Sequence, residues 1–207
     1  MKEITFTNAH RRAHFEFFNG MNHPHFNLCA NVDITDFLRR IKAEKLPFTP
    51  AMVWWLSKCA NDIPEFRQRI RGEKIVEHEA VHPSFSTATD EADVFSFCEV
   101  KYQPNEAAFI DNAKKVIEKM RTDPVIEDEA GRDDYLFLSS IPWVSFTGLT
   151  HAMSYHPHDS VPRITWGKYF AQGERIMMPL AVQVHHALVD GRHVGRYFQS
   201  VEGFMKE

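Results

Sequence analysis

Residues 183–195 read QVHHALVDGRHVG. An apolar run, IMMPLAV, leads into the paired histidines His185 and His186, and a different pattern leaves them. After Asp190 and Gly191, residues Val194, Tyr197, Phe198, Val201 and Phe204 recur at the spacing of one helix face. The stretch therefore predicts a buried strand, a tight turn that Gly191 allows, and an amphipathic helix. Burying a titratable ring costs free energy unless it is hydrogen-bonded. Each histidine thus needs a partner or a chemical task.

Working upstream, ITWGKYFAQGERIMMPLAVQV predicts a hairpin that turns at Gln172 and Gly173. YLFLSSIPWVSFTGL reads as a strand broken at Pro142, after an acidic, turn-rich loop over residues 123–134. Residues 104–121 read as a helix with Ala108, Phe109, Ala113, Val116, Ile117 and Met120 inward. KIVEHEAVHP, SFSTATD and ADVFSFCEVKY read as strands. Near the N-terminus, AHRRAHFEFFNGM is a short helix stopped at Asn19-Gly20, and HFNLCANVDI a strand. Thr35 or Asp36 is expected to cap a helix with Phe37, Leu38 and Ile41 on one face. Thr49-Pro50 opens another, AMVWWLSKCANDI, apolar nearly all round and so deeply buried, with Trp54 and Trp55 in the core. The class is α/β (α+β): a largely antiparallel or mixed sheet with helices packed on it.

The 207 residues suffice for one sizeable core, and one domain over 1–207 is expected. Charged residues make up 25% and hydrophobic ones 43%, as in ordinary water-soluble domains. A net charge of −4 gives no reason to expect nucleic acid or an anionic membrane as partner. Three cysteines, Cys29, Cys59 and Cys98, are odd in number and lie in apolar context, which predicts free buried thiols in a reducing cytoplasm. The first residues carry no apolar signal core, and no apolar run is long enough to span a bilayer.

Three readings compete for the histidine pair. It can be a satisfied core pair. It can contribute to a metal site with His186, Asp190 and His193 as ligands, but these straddle a strand end, a loop and a helix start with no sharp ligand spacing, so no metal is expected. Or it can supply an acid–base group, since imidazole exchanges a proton near neutral pH and a strand end holds it rigidly.

The motif H-H-x-x-x-D-G, residues 185–191, resembles the active-site signature of the CoA-dependent acyltransferase superfamily. The context narrows this. Residues 161–198, the N-terminal NAHRRAHFEFF, the strand FNLCANVDIT and the segment Ser139-Ser140-Ile141-Pro142-Trp143 resemble, in order and over nearly the whole chain, the chloramphenicol acetyltransferase family.

That resemblance implies a two-layer CoA-dependent acyltransferase fold, a homotrimer with sites at subunit boundaries, and acetyl-CoA as cosubstrate. It implies O-acetyl transfer to a small hydroxylated acceptor, chloramphenicol above others. His186 is then the general base, Ser139 the hydroxyl that stabilises the oxyanion, and Thr165 the holder of an ordered water. Asp190 pairs with Arg11, and Lys168 meets CoA phosphates. Phe18, Phe95 and His151 line the acceptor pocket. Phe18 stands where a tyrosine is common, His151 where a leucine is, and Pro24 where a cysteine is frequent, so acceptor preference is expected to have moved. The alternatives are the same chemistry on another alcohol or amine, and a binding protein that retains the fold without catalysis. An acyltransferase core of a dehydrogenase complex is disfavoured, since no lipoyl domain, subunit-binding segment or linker is evident.

Overall fold

The eleven-residue strand β10, Arg175–His185, organises the molecule. In the computed structural model, which describes residues 1–154 and 159–203, its residues are buried from Met178 to the end. Such a run, apolar on both faces, suits a central strand. It pairs antiparallel with β2, His25–Asp33, over nine positions, from Met177 opposite Asp33 to His185 opposite His25. On its other side it pairs antiparallel with β8, Arg163–Gly167.

Beyond β8 come β7 (Tyr135–Ile141), β5 (His82–Ala88) and the edge strand β6 (Phe95–Glu99). The β7–β8 and β5–β7 pairings are parallel and the rest antiparallel, so the sheet is mixed, as expected. Short β9, Phe170–Gln172, turns back onto β10 at Gly173, whose φ of +62° is left-handed territory that favours glycine. Gly167 ends β8 under crowding: a Cβ there would meet Pro179 Cγ at 2.7 Å and Val144 O at 2.8 Å.

Among the described residues, five α-helices accompany the sheets: α1 (Ala9–Asn19), α2 (Thr35–Ala43), α3 (Phe48–Asn61), α4 (Glu106–Thr122) and α5 (Gly191–Gly203). Helix α3 is buried at ten of its fourteen positions. Trp55 stacks on Phe37 of α2 at 4.9 Å, and the Tyr197 hydroxyl of α5 donates to Leu56 O at 3.2 Å. Fully burying each large apolar side chain stabilises the fold by about 1.5–3 kcal/mol. The inward face of α5 is Val194, Tyr197 and Val201 as the spacing predicts; Phe204 lies outside the described residues.

Three local expectations are corrected. Neither Thr35 nor Asp36 caps α2. Thr35 is its first residue, and Asp33 accepts both the Thr35 N–H at 2.9 Å and its hydroxyl at 2.6 Å. The strand read over KIVEHEAVHP divides. Its first part, β4 (Lys74–Glu77), joins β1 (Lys2–Ile4) and β3 (Gln68–Arg71) in a separate small sheet, while His82 begins β5. Gly191 has no left-handed φ and a Cβ there would meet nothing within 4 Å; residues 186–188 make the turn instead.

Candidate active site

Strand alternation separates the two histidines. His185 is 1% exposed and turns inward, where its ring meets His25 edge-on at 4.9 Å. His186 is half-buried just past the strand end, its N–H bound to Pro24 O at 2.8 Å. Its ring stacks on Phe18 of α1 at 3.8 Å, with Phe26 of β2 at 4.6 Å and His14 of α1 at 5.4 Å. Nδ1 is buried with no hydrogen-bond partner among the described residues, which leaves Nε2 to exchange a proton with a substrate.

The direct Arg11–Asp190 ion pair implied by the resemblance does not form among the described residues. Arg11 Nη1 donates to Ala187 O at 2.7 Å and Nη2 to Leu188 O at 2.8 Å, while Phe6 covers the guanidinium at 4.1 Å. These carbonyls engage both terminal nitrogens, so Arg11 clamps the turn that follows His186. Asp190 acts on Arg11 only through its charge. Its nearest cationic-type partner is His14, with Nε2 at 3.5 Å from Oδ2. Asp190 Oδ1 accepts the Arg192 N–H at 3.2 Å at the start of α5. That bond, then the charges of His186, His14 and His193, hold the carboxyl below its ordinary range.

The metal-ligand set offered by spacing is not the one brought together. His193 Nδ1 accepts the Asp190 N–H at 3.0 Å, and its Nε2 faces Glu65 at 3.5 Å. His14, His186 and Asp190 do bring one ligand-type atom each within 4.8 Å of one another. The Arg11 guanidinium, 3.1 Å from His14 Nδ1, opposes a cation there.

A second constellation lies on β5, β7 and β8. Ser139 and Ser86 share a hydrogen bond at 3.0 Å. Thr165, buried opposite Ser139 in register, bonds His151 Nε2 at 2.9 Å. The His151 N–H donates to Gln183 Oε1 at 3.0 Å. Burial, and then the charge of Arg163, push the His151 ring down to about 4, so it is neutral at pH 7. Ser139, His151 and Phe95 line a cavity of about 300 Å³ together with Ser84, Ser86 and Arg163. Of the three residues expected in the acceptor pocket, Phe95 and His151 therefore line one cavity, while Phe18 stands with His186 instead. Sequence reading missed Ser86; the alternation in SFSTATD puts it on the face of Ser84. His156 and His158 lie outside the described residues.

The two constellations are apart within one chain. Thr165 sits opposite Ala181, and Ser139 opposite Thr165. Ser139 is thus two strands, ~10 Å, to the side of Ala181, and His186 is ~16 Å further along β10, so their backbones are roughly 19 Å apart.

A groove of about 1000 Å³ opens between α3 and α4, lined by Phe48, Thr49, Thr87, Lys114, Lys115 and Lys119. Glu118 stands among the three lysines, which leaves the border of the groove net positive. Lys168 is exposed beside Tyr169, whose ring is 6.0 Å from that of Phe48 at the groove. Thr87 lines the groove and its neighbour Ser86 the cavity, so the two open on opposite faces of β5.

Residues 1–202 match the family model described as chloramphenicol acetyltransferase. A chloramphenicol acetyltransferase of Escherichia coli is 31% identical over 198 residues, covering 96% of this chain and 90% of that protein. Chloramphenicol acetyltransferase 3 of Escherichia coli is 29% identical, over 93% and 91% respectively. Among solved structures, a chloramphenicol acetyltransferase superposes with a TM-score of 0.87 over 99% of this chain and all of that one, at 24% identity. The dihydrolipoamide acetyltransferase of Azotobacter vinelandii shares the fold at a TM-score of 0.71 and 18% identity, over all of this chain and 92% of that one. With residues 1–202 matched by that model, the chain belongs to the chloramphenicol acetyltransferase family and is an acyltransferase.

Proposed function

We propose that the chain moves the acetyl group of acetyl-CoA to a hydroxyl of a small acceptor, with chloramphenicol, for which its relatives are named, as the first candidate. The observation that carries this reading is His186: a ring fixed between Phe18 and Phe26, with Nδ1 enclosed and Nε2 left for chemistry. Nε2 takes the acceptor's hydroxyl proton as the oxygen attacks the thioester carbonyl. The Ser139 hydroxyl donates to the developing oxyanion, an interaction worth about 2.7–4 kcal/mol at comparable sites. Collapse expels the CoA thiolate, which recovers the proton from the imidazolium. Thr165, held by His151, orders the polar wall behind the intermediate. In the Azotobacter enzyme, a serine, a histidine and an asparagine four residues after that histidine were studied for their catalytic roles. Here Asp190 stands four residues after His186.

A distance of roughly 19 Å keeps His186 and Ser139 of one chain from acting on one substrate. A homotrimer that sets the β10 end of one copy against the β5–β7–β8 cavity of the next completes the site. Exposed apolar residues beside both regions, Phe17 near His186 and Trp143 and Val144 after β7, suit burial by another copy. Acetyl-CoA is assigned to the lysine-bordered groove, with Lys168 at its margin, and the acceptor to the opposite face of β5. One domain over residues 1–207, no metal and a cytoplasmic setting complete the reading. Among the described residues no helix is long and apolar enough to cross a membrane.

A second acceptor class, another small alcohol or amine, is favoured by one observation: His151 and Arg163 make the Ser139 cavity polar and partly charged. The test is release of free CoA thiol from acetyl-CoA across a panel of acceptors. Turnover of chloramphenicol supports the first reading. Turnover of other alcohols or amines alone supports the second. No release with any acceptor, by protein that binds acetyl-CoA, leaves a binding protein with this fold.

A further inference from the structure

We propose that His14 is a positioning residue for the base: it links the Arg11 clamp to Asp190 and holds that carboxylate beside the His186 ring. The inference rests on His186 being the base. Arg11 is always protonated, so its Nη1 can only donate, and His14 Nδ1, 3.1 Å away, must accept. An imidazole that accepts at Nδ1 carries its proton on Nε2 when neutral. That N–H faces Asp190 Oδ2 at 3.5 Å. One neutral ring thus completes a chain from the carbonyls of Ala187 and Leu188, through Arg11 and His14, to the carboxylate.

The charge arrangement favours the base in its working state. When His186 takes a proton, a cation appears 5.4 Å, ring to ring, from His14. A charged His14 would oppose it. Burial first, then the charges of Arg11 and His186, push the His14 ring below its ordinary value and so disfavour its charged form. The carboxylate it orients interacts favourably with the new imidazolium. The other groups facing this site are already engaged. His193 is turned to Glu65 and the Asp190 N–H, Arg196 bonds Glu65 at 3.1 Å, and Arg192 offers its backbone N–H to Asp190. Exposed His10 stands on the wall of the adjoining cavity with Asn8.

The test uses the full chain in its assembled state, freed of metal with a chelator, with His186→Ala measured in parallel. His14→Phe keeps a ring but removes both nitrogens. It is expected to lower kcat about 10- to 100-fold, as small displacements of a catalytic group do. KM for acetyl-CoA should stay within about twofold, since no binding contact is lost. The acid limb of the kcat/KM profile should move to lower pH, because a less restrained carboxylate stabilises the imidazolium less. His14→Gln, which restores a donor towards Asp190, should recover most of the loss. Should His14→Phe fail to fold, ¹⁵N-histidine spectra of the unmodified enzyme, assigned with His14→Gln, decide the matter: a neutral Nε2–H tautomer at pH 7 is expected. The proposal is overturned by an Nδ1–H or charged ring, by full activity of His14→Phe with an unmoved pH profile, or by a loss that Gln does not recover. Full activity of His186→Ala would overturn the base assignment instead, whatever His14 does.

Discussion

The end of β10 and the cavity on β5, β7 and β8 are built on different principles. At the first, a ring is fixed by aromatic neighbours and by a turn whose carbonyls are clamped by Arg11. At the second, hydroxyls and an imidazole hold one another: Ser86 with Ser139, and Thr165 with His151. The first region fixes the His186 ring through a turn held by main-chain contacts that tolerate little change. The second shapes a wall through side chains that can be exchanged singly. On the proposed function, chemistry would reside in the first and most of the acceptor wall in the second, with Ser139 of the second reaching the reaction and Phe18 of the first reaching the acceptor.

The largest expected effect tests the first region. His186→Ala should lower kcat by about 10²–10⁴-fold with acetyl-CoA binding retained, because proton transfer alone is lost. His185→Ala should instead lower thermal stability, since it empties a fully buried position, and folded enzyme should keep most of its activity. The reverse ranking in steady-state kinetics would dissolve the division between the two rings. Next is Ser139→Ala, with a loss of about 10²-fold in kcat and little change in KM; a loss carried by KM would make Ser139 a binding group.

Arg11→Ala tests whether the first region is held through its backbone. Hydrogen bonds to charged groups contribute about 1.5–3 kcal/mol each, so removing this clamp should lower the melting temperature and kcat together. A variant with unchanged stability and low kcat would mean that Arg11 acts on substrate instead. The smallest effect belongs to the residues expected to meet the acceptor, Phe18 beside His186 and His151 on the cavity wall. Phe18→Tyr with His151→Leu should improve KM for chloramphenicol more than kcat, which steady-state kinetics at saturating acetyl-CoA will read.

The same wall has a pH signature. His151 binds its proton at about 4 in the folded chain and near the ordinary 6.5 when unfolded. Between those values the unfolded state holds more protons, so stability should fall as pH drops from 6.5 towards 4 and be fully retained above 6.5. Burial lowers His25 and His82 as well, so the difference between the wild type and His151→Leu isolates the share of His151. Identical pH–melting curves for the two proteins would place His151 in water.

Much of the first region is legible in the sequence because it is local. The strand, the turn and the helix follow one another within residues 175–203, and the 2- and 3.6-residue periods mark them. The long helices α3 and α4 are legible for the same reason. What is not legible depends on atoms far apart in the chain. The Arg11 guanidinium finds carbonyls instead of the Asp190 carboxylate, because main-chain oxygens carry no mark in a sequence. The Ser86–Ser139 bond joins strands 53 residues apart, and a serine in a strand looks like any other. Strands β1 and β3, of three and four residues, are too short for a period to show.

The separation of His186 from Ser139 along and across the sheet has a consequence for inheritance. If each working site draws its base from one copy and its serine from the next, a cell carrying two damaged alleles need not be deficient. Chains bearing His186→Ala supply sound serines, and chains bearing Ser139→Ala supply sound bases. Random assortment of the two in equal amounts into a closed ring regenerates an intact site at roughly one boundary in four. Each allele alone would keep about a hundredth of the wild-type rate or less, and together they would restore about a quarter of it.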